Sequence, residues 1–317
     1  MRLPGTKLCT AVCLLLAATA LGAADHTTMD LLSLGRMNEA ISVLTTRDDA
    51  ESLNLLSRAY FATERWDEAV RCGEKAVSLR PDNANYHLWL AREYGKKAAA
   101  ANPMMAATLA RKAKNEFERA VQLDPANVQA RVDLAEYYTE APAFMGGGLD
   151  KAREQAARVA QYNAAESHLV LARIAEKDKQ YAEAENQLKQ AIKQARSPAN
   201  YWLELAVFYR NRGRLDDMQS AVQTALTQPD APAETYFDAA GALYLGGRDF
   251  PGAVQYLQKY LASGGLVEDA PAFRAHYLLG EIYQKMGRDS AAAAEYQASL
   301  SLASGFDRAR KALSHVQ

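Results

Sequence analysis

The residues of this 317-residue chain that could do chemistry unaided are a single cysteine beyond the amino-terminal segment, three similarly placed histidines and a run of three glycines. His87, His168 and His276 could ligate a divalent cation only if they converged on one ion at about 2 Å. They occupy the same position in three copies of a repeated segment, and packed helices sit about 8–10 Å apart, so the spacing assigns each to packing between helices. Gly146 to Gly148, followed by a helix start near Asp150, could cradle a phosphate on backbone amides. No strand precedes them and no Gly-Lys-Ser/Thr follows, so they are read as a loop. Cys72 has no partner for an internal disulfide and is read as a small apolar residue on a helix, not a nucleophile. No Ser, His and Asp constellation can be assembled. The sequence predicts no catalytic residue, no cofactor and no metal site. An enzymatic or small-molecule-binding envelope protein on a helical-repeat scaffold is the alternative.

What must position these residues is legible between Ala50 and Asn83, AESLNLLSRAYFATERWDEAVRCGEKAVSLRPDN. Leu53, Leu56 and Tyr60 are spaced by three and four, and Trp66, Ala69, Val70, Gly73, Ala76 and Val77 continue that spacing after a polar break. This predicts two short amphipathic helices, held close by Ser57, Ala69, Gly73 and Ala76 and ended at Pro81. A hairpin of this size cannot bury its own apolar face and must stack on copies of itself. Tyr60, Tyr94, Tyr138, Tyr209, Tyr244 and Tyr283 recur at intervals of 34, 44, 71, 35 and 39 residues. The longest interval holds a further copy in which Ala175 replaces the tyrosine.

The unit resembles the 34-residue tetratricopeptide repeat. Leu53, Leu56, Ser57, Tyr60, Ala69, Ala76 and Pro81 stand at that family's large, large, small, aromatic, small, small and proline positions, and Gly73 replaces a usual large residue. The resemblance implies an all-α fold, a right-handed superhelical solenoid that binds other proteins and carries no chemistry. About seven units start near Ala50, Ala84, Val128, Ala165, Ala199, Glu234 and Phe273, giving 50–83, 84–127, 128–164, 165–198, 199–233, 234–272 and 273–304. A partial repeat over 25–49 and a helix over 305–317 are expected to cap the two ends. In the fifth unit Met218 occupies a small-residue position, so its second helix is expected to sit further out.

Residues 1–24 read as an export signal, with Arg2 and Lys7 ahead of the apolar run Leu8 to Leu21 and small residues at Gly22 to Ala24. Cleavage there predicts a soluble periplasmic or secreted protein. Its removal takes two of the 37 basic residues and none of the 38 acidic ones, leaving 35 against 38 and a formal charge of −3. That balance disfavours nucleic acid and anionic lipid as partners. No span of the mature chain is long and apolar enough for a membrane helix, which needs about 20 residues. Homo-oligomerisation stays open.

Three segments exceed the repeat. About ten extra residues within 95–107 lengthen the second hairpin, with Asn102 and Pro103 making the turn. About five extra residues within 141–149 make a loop, because Pro142 and Gly146 to Gly148 forbid helix. ASGGLVEDAPAF, residues 262–273, is read as a solvated linker on the opposite edge.

The expected partner is a protein or peptide segment. In proteins similar to this one the concave face comes from first-helix positions that point away from the stack. Carried onto this chain they are Asn54, Arg58, Leu88, Arg92, Asp133, Glu136, Leu169, Arg173, Leu203, Arg210, Tyr277 and Glu281, an amphipathic mixture suited to an extended segment or a helix. The lysine, asparagine and arginine cluster by which some members hold a peptide carboxylate is not assembled from Asn54, Arg58, Trp89, Gln129 and Asp133. A second candidate surface is the edge where the first two insertions emerge, with Met104, Met105, Phe144 and Met145. Those side chains form either an adaptable docking platform or an internal packing contact.

Overall fold

A computed structural model describes residues 28–316, and within them every regular element is helical and no strand occurs. The expected export segment lies outside the described residues. A short helix over residues 28–33 (α1) and Met37–Leu44 (α2) precede seven hairpins. These are Ala50–Ala62 (α3) with Trp66–Leu79 (α4), Ala84–Ala100 (α5) with Pro103–Leu123 (α6), and Val128–Glu140 (α7) with Leu149–Val159 (α8). Next come Ala164–Lys177 (α9) with Tyr181–Gln194 (α10), Ala199–Asn211 (α11) with Leu215–Leu226 (α12), and Glu234–Gly246 (α13) with Phe250–Ala262 (α14). Ala272–Lys285 (α15) pairs with Asp289–Leu302 (α16), and Asp307–Leu313 (α17) follows.

Local chemistry sets the helix ends. Asp49, Asn83, Asn127 and Asn163 cap α3, α5, α7 and α9 by accepting from backbone amides of the first turn. Second helices follow tight turns whose left-handed residue is Gly213 or Gly287 in two hairpins and Glu64 or Lys179 in two others. A side chain in that conformation costs roughly 1–2 kcal/mol, which glycine avoids. The lengthened second hairpin is two long helices, with Asn102 accepting from the Met105 amide and Pro103 at the first helical position.

Packing repeats with the sequence. The fourth residue of the second helix is a fully buried alanine in Ala40, Ala69, Ala152, Ala184, Ala253 and Ala292. Met218 stands at that position in α12 and is also fully buried, because the next unit offers Gly246, where a Cβ would lie 2.7 Å from the Met218 sulfur. The missing side chain at Gly246 makes the room that Met218 fills. Gly73 has the same explanation in reverse. At the eighth position, where the second helices other than the lengthened α6 carry Leu44, Ala156, Leu188, Val222, Leu257 and Tyr296, it leaves room for Glu93, and a Cβ on Gly73 would lie 2.2 Å from Glu93 Oε2.

Hydrogen bonds tie this stack together. The repeat tyrosines reach back one unit, so that Tyr94 donates to Glu74, Tyr138 to Glu118 at 2.8 Å and Tyr209 to Glu185 at 3.0 Å. The three histidines work inside their hairpins, His87 with Glu116, His168 with Gln187 at 2.6 Å and His276 with Glu295 at 2.7 Å. They are pins between paired helices.

The two ends of the solenoid meet. Leu31, Leu32, Met37 and Leu44 share one apolar core with Phe273, Ala303, Phe306 and Ala309. Phe306 is 1% exposed and meets the rings of Phe273 and Tyr277 edge-on, each at 5.2 Å. Asn38 donates to the Ser301 carbonyl at 2.9 Å and accepts from the Ser304 amide at 2.9 Å and its hydroxyl at 2.7 Å. Arg274 donates to the Ala62 carbonyl at 2.8 Å. The terminal segments, each expected to turn one face to water, cover one another instead. The seven hairpins and the amino-terminal partial unit therefore make one closed turn around an inner face.

Candidate partner-binding site

The first helices line that inner face, and their charges are arranged as a ladder. Arg92 Nε donates to Asp133 Oδ2 at 2.6 Å, and Gln129 holds the other carboxylate oxygen at 2.7 Å. Arg173 spans Glu136 at 3.2 Å and Glu204 at 3.4 Å, and Lys177 meets Glu140 at 2.7 Å. Trp89 lies between two cations, with the Arg58 and Arg92 guanidinium carbons each 4.9 Å from its ring centre, and Phe61 meets it edge-on at 5.7 Å.

The segment expected to be a solvated linker folds into this face. Its anchor is Tyr260, fully buried, whose hydroxyl donates to the Ala270 carbonyl at 2.5 Å and accepts from the Val267 amide at 3.1 Å. A buried hydroxyl must be satisfied, and meeting both partners bends the loop inward. Glu268 then pairs with Arg58, whose Nε donates to Oε1 at 2.9 Å, and Asp269 reaches the wall of a cleft of about 630 Å³. Phe61, Trp89, Phe117 and Tyr137 form the aromatic part of that wall, and Arg92, Lys96, Asp133, Glu136 and Glu140 the charged part.

Carboxylates dominate the electrostatics further round the face. Asp238 is open to water within the concavity, yet partial loss of hydration and the neighbouring Glu234, Glu204 and Asp269 push its carboxyl up to about 6. Burial raises Glu204 despite Arg173, and burial raises Glu176, whose Oε1 has no hydrogen-bond partner.

Several expected site residues take other positions. Leu88, Leu169 and Leu203 are buried core residues, as is Asn54, and cannot touch a partner. In α5 and α11 the inward residue is the next one along, Trp89 and Glu204, because one residue turns the helix by about 100°. Arg58, Arg92, Asp133, Glu136 and Arg173 do reach the inner face, but as mutual ion pairs. Arg210 bonds to Asn211 at the end of α11 and, among the described residues, pairs with no carboxylate. Tyr277 and Glu281 are joined by a 2.8 Å hydrogen bond and sit at the seam beside Phe306 and Arg308.

On the edge, Met104 and Phe144 are 84% and 80% exposed and Met105 is also exposed, whereas Met145 is half-buried with its carbonyl accepting from the Tyr137 hydroxyl at 2.9 Å. Met105 belongs to a groove of about 590 Å³ shared with Trp66, Lys97 and Gly305. The loop of the third unit, with a 3-10 turn over Ala143–Met145, contacts α6 and comes beside Lys114, nine residues or about 13 Å along that helix from Met105. The described contacts do not gather the four side chains into one platform.

Family profiles described as Tetratricopeptide repeat match residues 50–83, 169–228 and 239–305, just over half of the chain. The chain is a tetratricopeptide-repeat protein. The unmatched second and third units are those whose insertions break the 34-residue spacing. Among solved structures, the chain is similar to one titled as the crystal structure of the APC/C hetero-tetramer Cut9-Hcn1, at 14% identity and a TM-score of 0.42, covering 88% of this chain. It spans 58% of the length of that chain. It is also similar to a tetratricopeptide repeat protein from Parabacteroides merdae ATCC 43184, at 15% identity and a TM-score of 0.43, with 84% of this chain and 98% of the other covered. No curated protein matches. Among the described residues no helix is long and apolar enough to cross a membrane, and no group of three or more His, Cys, Asp or Glu residues is placed to hold a metal ion.

Proposed function

We propose that this tetratricopeptide-repeat protein is a non-catalytic scaffold of the cell envelope that holds a segment of a protein partner in the concave cleft. The observation that carries this reading is the cleft wall itself, where Phe61, Trp89 and Tyr137 stand beside Arg92 and Asp133 on the first helices of three successive units. Aromatic anchors within a polar frame are what binding surfaces concentrate. The histidines and the cysteine have structural surroundings. The histidines pin hairpins together, and burial pushes the Cys72 thiol up, away from the thiolate. Placement in the envelope rests on the signal-like residues 1–24.

Trp89→Ala tests the site. Reversing Arg92 and Arg173 would break ion pairs between units, whereas removing the indole opens the cleft and leaves the acidic partners of the arginines in place. The variant should retain the helical signal and lose capture of the partner from an envelope extract. Capture equal to that of the unaltered protein would place the binding surface elsewhere.

A further inference from the structure

The scaffold reading leaves the chemistry of the partner open, and the unmatched charges of the inner face narrow it. Each arginine of the ladder is consumed, Arg58 by Glu268, Arg92 by Asp133 and Arg173 by Glu136 with Glu204. Asp238 and Asp269 have no ion pair or hydrogen bond, and the Asp269 charge reaches Asp238. Lys96, the unpaired cation among the described residues of the cleft wall, is exposed and is outnumbered by these carboxylates. The aromatic cleft and the unpaired acids are contiguous, because Asp269 lines the same wall as Trp89 while interacting with Asp238.

Resting on the proposed docking role of the cleft, we infer that its occupant is a cationic segment, an extended stretch that seats a lysine or arginine between Asp238 and Asp269 and an adjacent aromatic or aliphatic side chain against Trp89. An anionic segment would add charge to a face that already repels it, and a neutral one would leave both carboxylates unpaired under a desolvating ligand. The ladder itself is rigid, since every rung joins two units or the 263–271 loop to the first unit. The segment thus meets a prepared surface and does not have to order one.

The test uses three fluorescein-labelled ten-residue peptides with identical aromatic and aliphatic residues and with lysine, glutamate or serine at alternate positions. The lysine peptide should bind the full mature protein at least about tenfold more tightly than the other two. Asp238→Asn with Asp269→Asn should weaken it by about tenfold or more. Asp150→Asn with Asp216→Asn removes the same charge from side chains 98% and 96% exposed elsewhere and should change binding less than about threefold. Equal binding of the serine or glutamate peptide, equal loss in the two double variants, or no binding of the lysine peptide would each overturn the cationic assignment. The docking role is judged separately. If the lysine peptide fails while Trp89→Ala still abolishes capture of the natural partner, the cleft remains the docking surface and only the charge of its occupant is wrong.

Discussion

Closure of the solenoid predicts that a change in the last helix is felt at the first. In Phe306→Ala the side chain removed is 1% exposed and is the apolar link between Phe273, Tyr277 and the core that contains Leu31, Leu32 and Met37. Truncating a buried phenylalanine costs about 3–5 kcal/mol, and each edge-on ring contact is worth about 0.5–1.5 kcal/mol beyond its area. The upper part of that range is expected, because both partner rings stand on one helix, α15, which holds them away from the space left behind. The exposed Arg308–Glu64 pair across the same seam contributes about 0–1 kcal/mol, so Phe306 and not the polar rim dominates. Denaturant unfolding measures the loss, and amide hydrogen exchange locates it. Protection should fall over residues 31–62 as well as 273–316, although more than 240 residues separate the two ends. In an open solenoid each unit answers only to its neighbours. A loss below about 1 kcal/mol, or exchange changes confined to residues 273–316, would refute closure.

Other consequences can be checked singly. Glu93 is fully buried, with the Ser57 hydroxyl beside it turned to the Asn54 carbonyl, and burial raises its carboxyl well above the ordinary value of 4.5, Ser57 offsetting part of that rise and Glu74 adding to it. The folded chain then keeps a proton that the unfolded chain releases, so stability present below about pH 4.5 falls as pH rises towards the folded value, by about 1.4 kcal/mol per pH unit in that window. Glu93→Gln should remove this slope and raise the melting temperature at pH 7; an unchanged slope would show that Glu93 is not the group responsible. Replacing Met105, Phe144 and Met145 by serine should change stability by less than about 1 kcal/mol, since Phe144 and Met105 are exposed, and a loss of about 3 kcal/mol or more in thermal unfolding would mean they are packed. Mass determination of the exported protein should give a chain starting after Ala23 or Ala24, and an intact Met1 would refute export.

The hairpins were legible because each carries the 3.6-residue period with a polar break or turn residue between its helices, and the first four add an asparagine or aspartate cap. The lengthened second hairpin followed from about ten extra residues rich in alanine, with Asn102 and Pro103 marking the turn. Which first-helix residues look inward was harder, since one position separates buried Leu88 from Trp89 and buried Leu203 from Glu204, and both members of each pair suit a helix surface that is wedged on two sides. Gly73 and Met218 look like defects within their own units and make sense only against Glu93 and Gly246 of the next. Closure is a sum of small rotations between units, and no single segment encodes it. The inward fold of the 263–271 loop rests on the buried Tyr260 hydroxyl and on Arg58, 210 residues away from Glu268, so its glycines and acids taken alone suggested a linker.

The central claim, that the concave cleft is where a protein partner lies, is tested most directly by photo-crosslinking in the producing cell. A benzophenone amino acid is placed in turn at Trp89, at Tyr137 further along the same cleft, and at Phe144 on the exposed edge. Adducts to one partner from the first two positions, with none from the third, are predicted. Adducts from Phe144 with none from Trp89 or Tyr137 would contradict it.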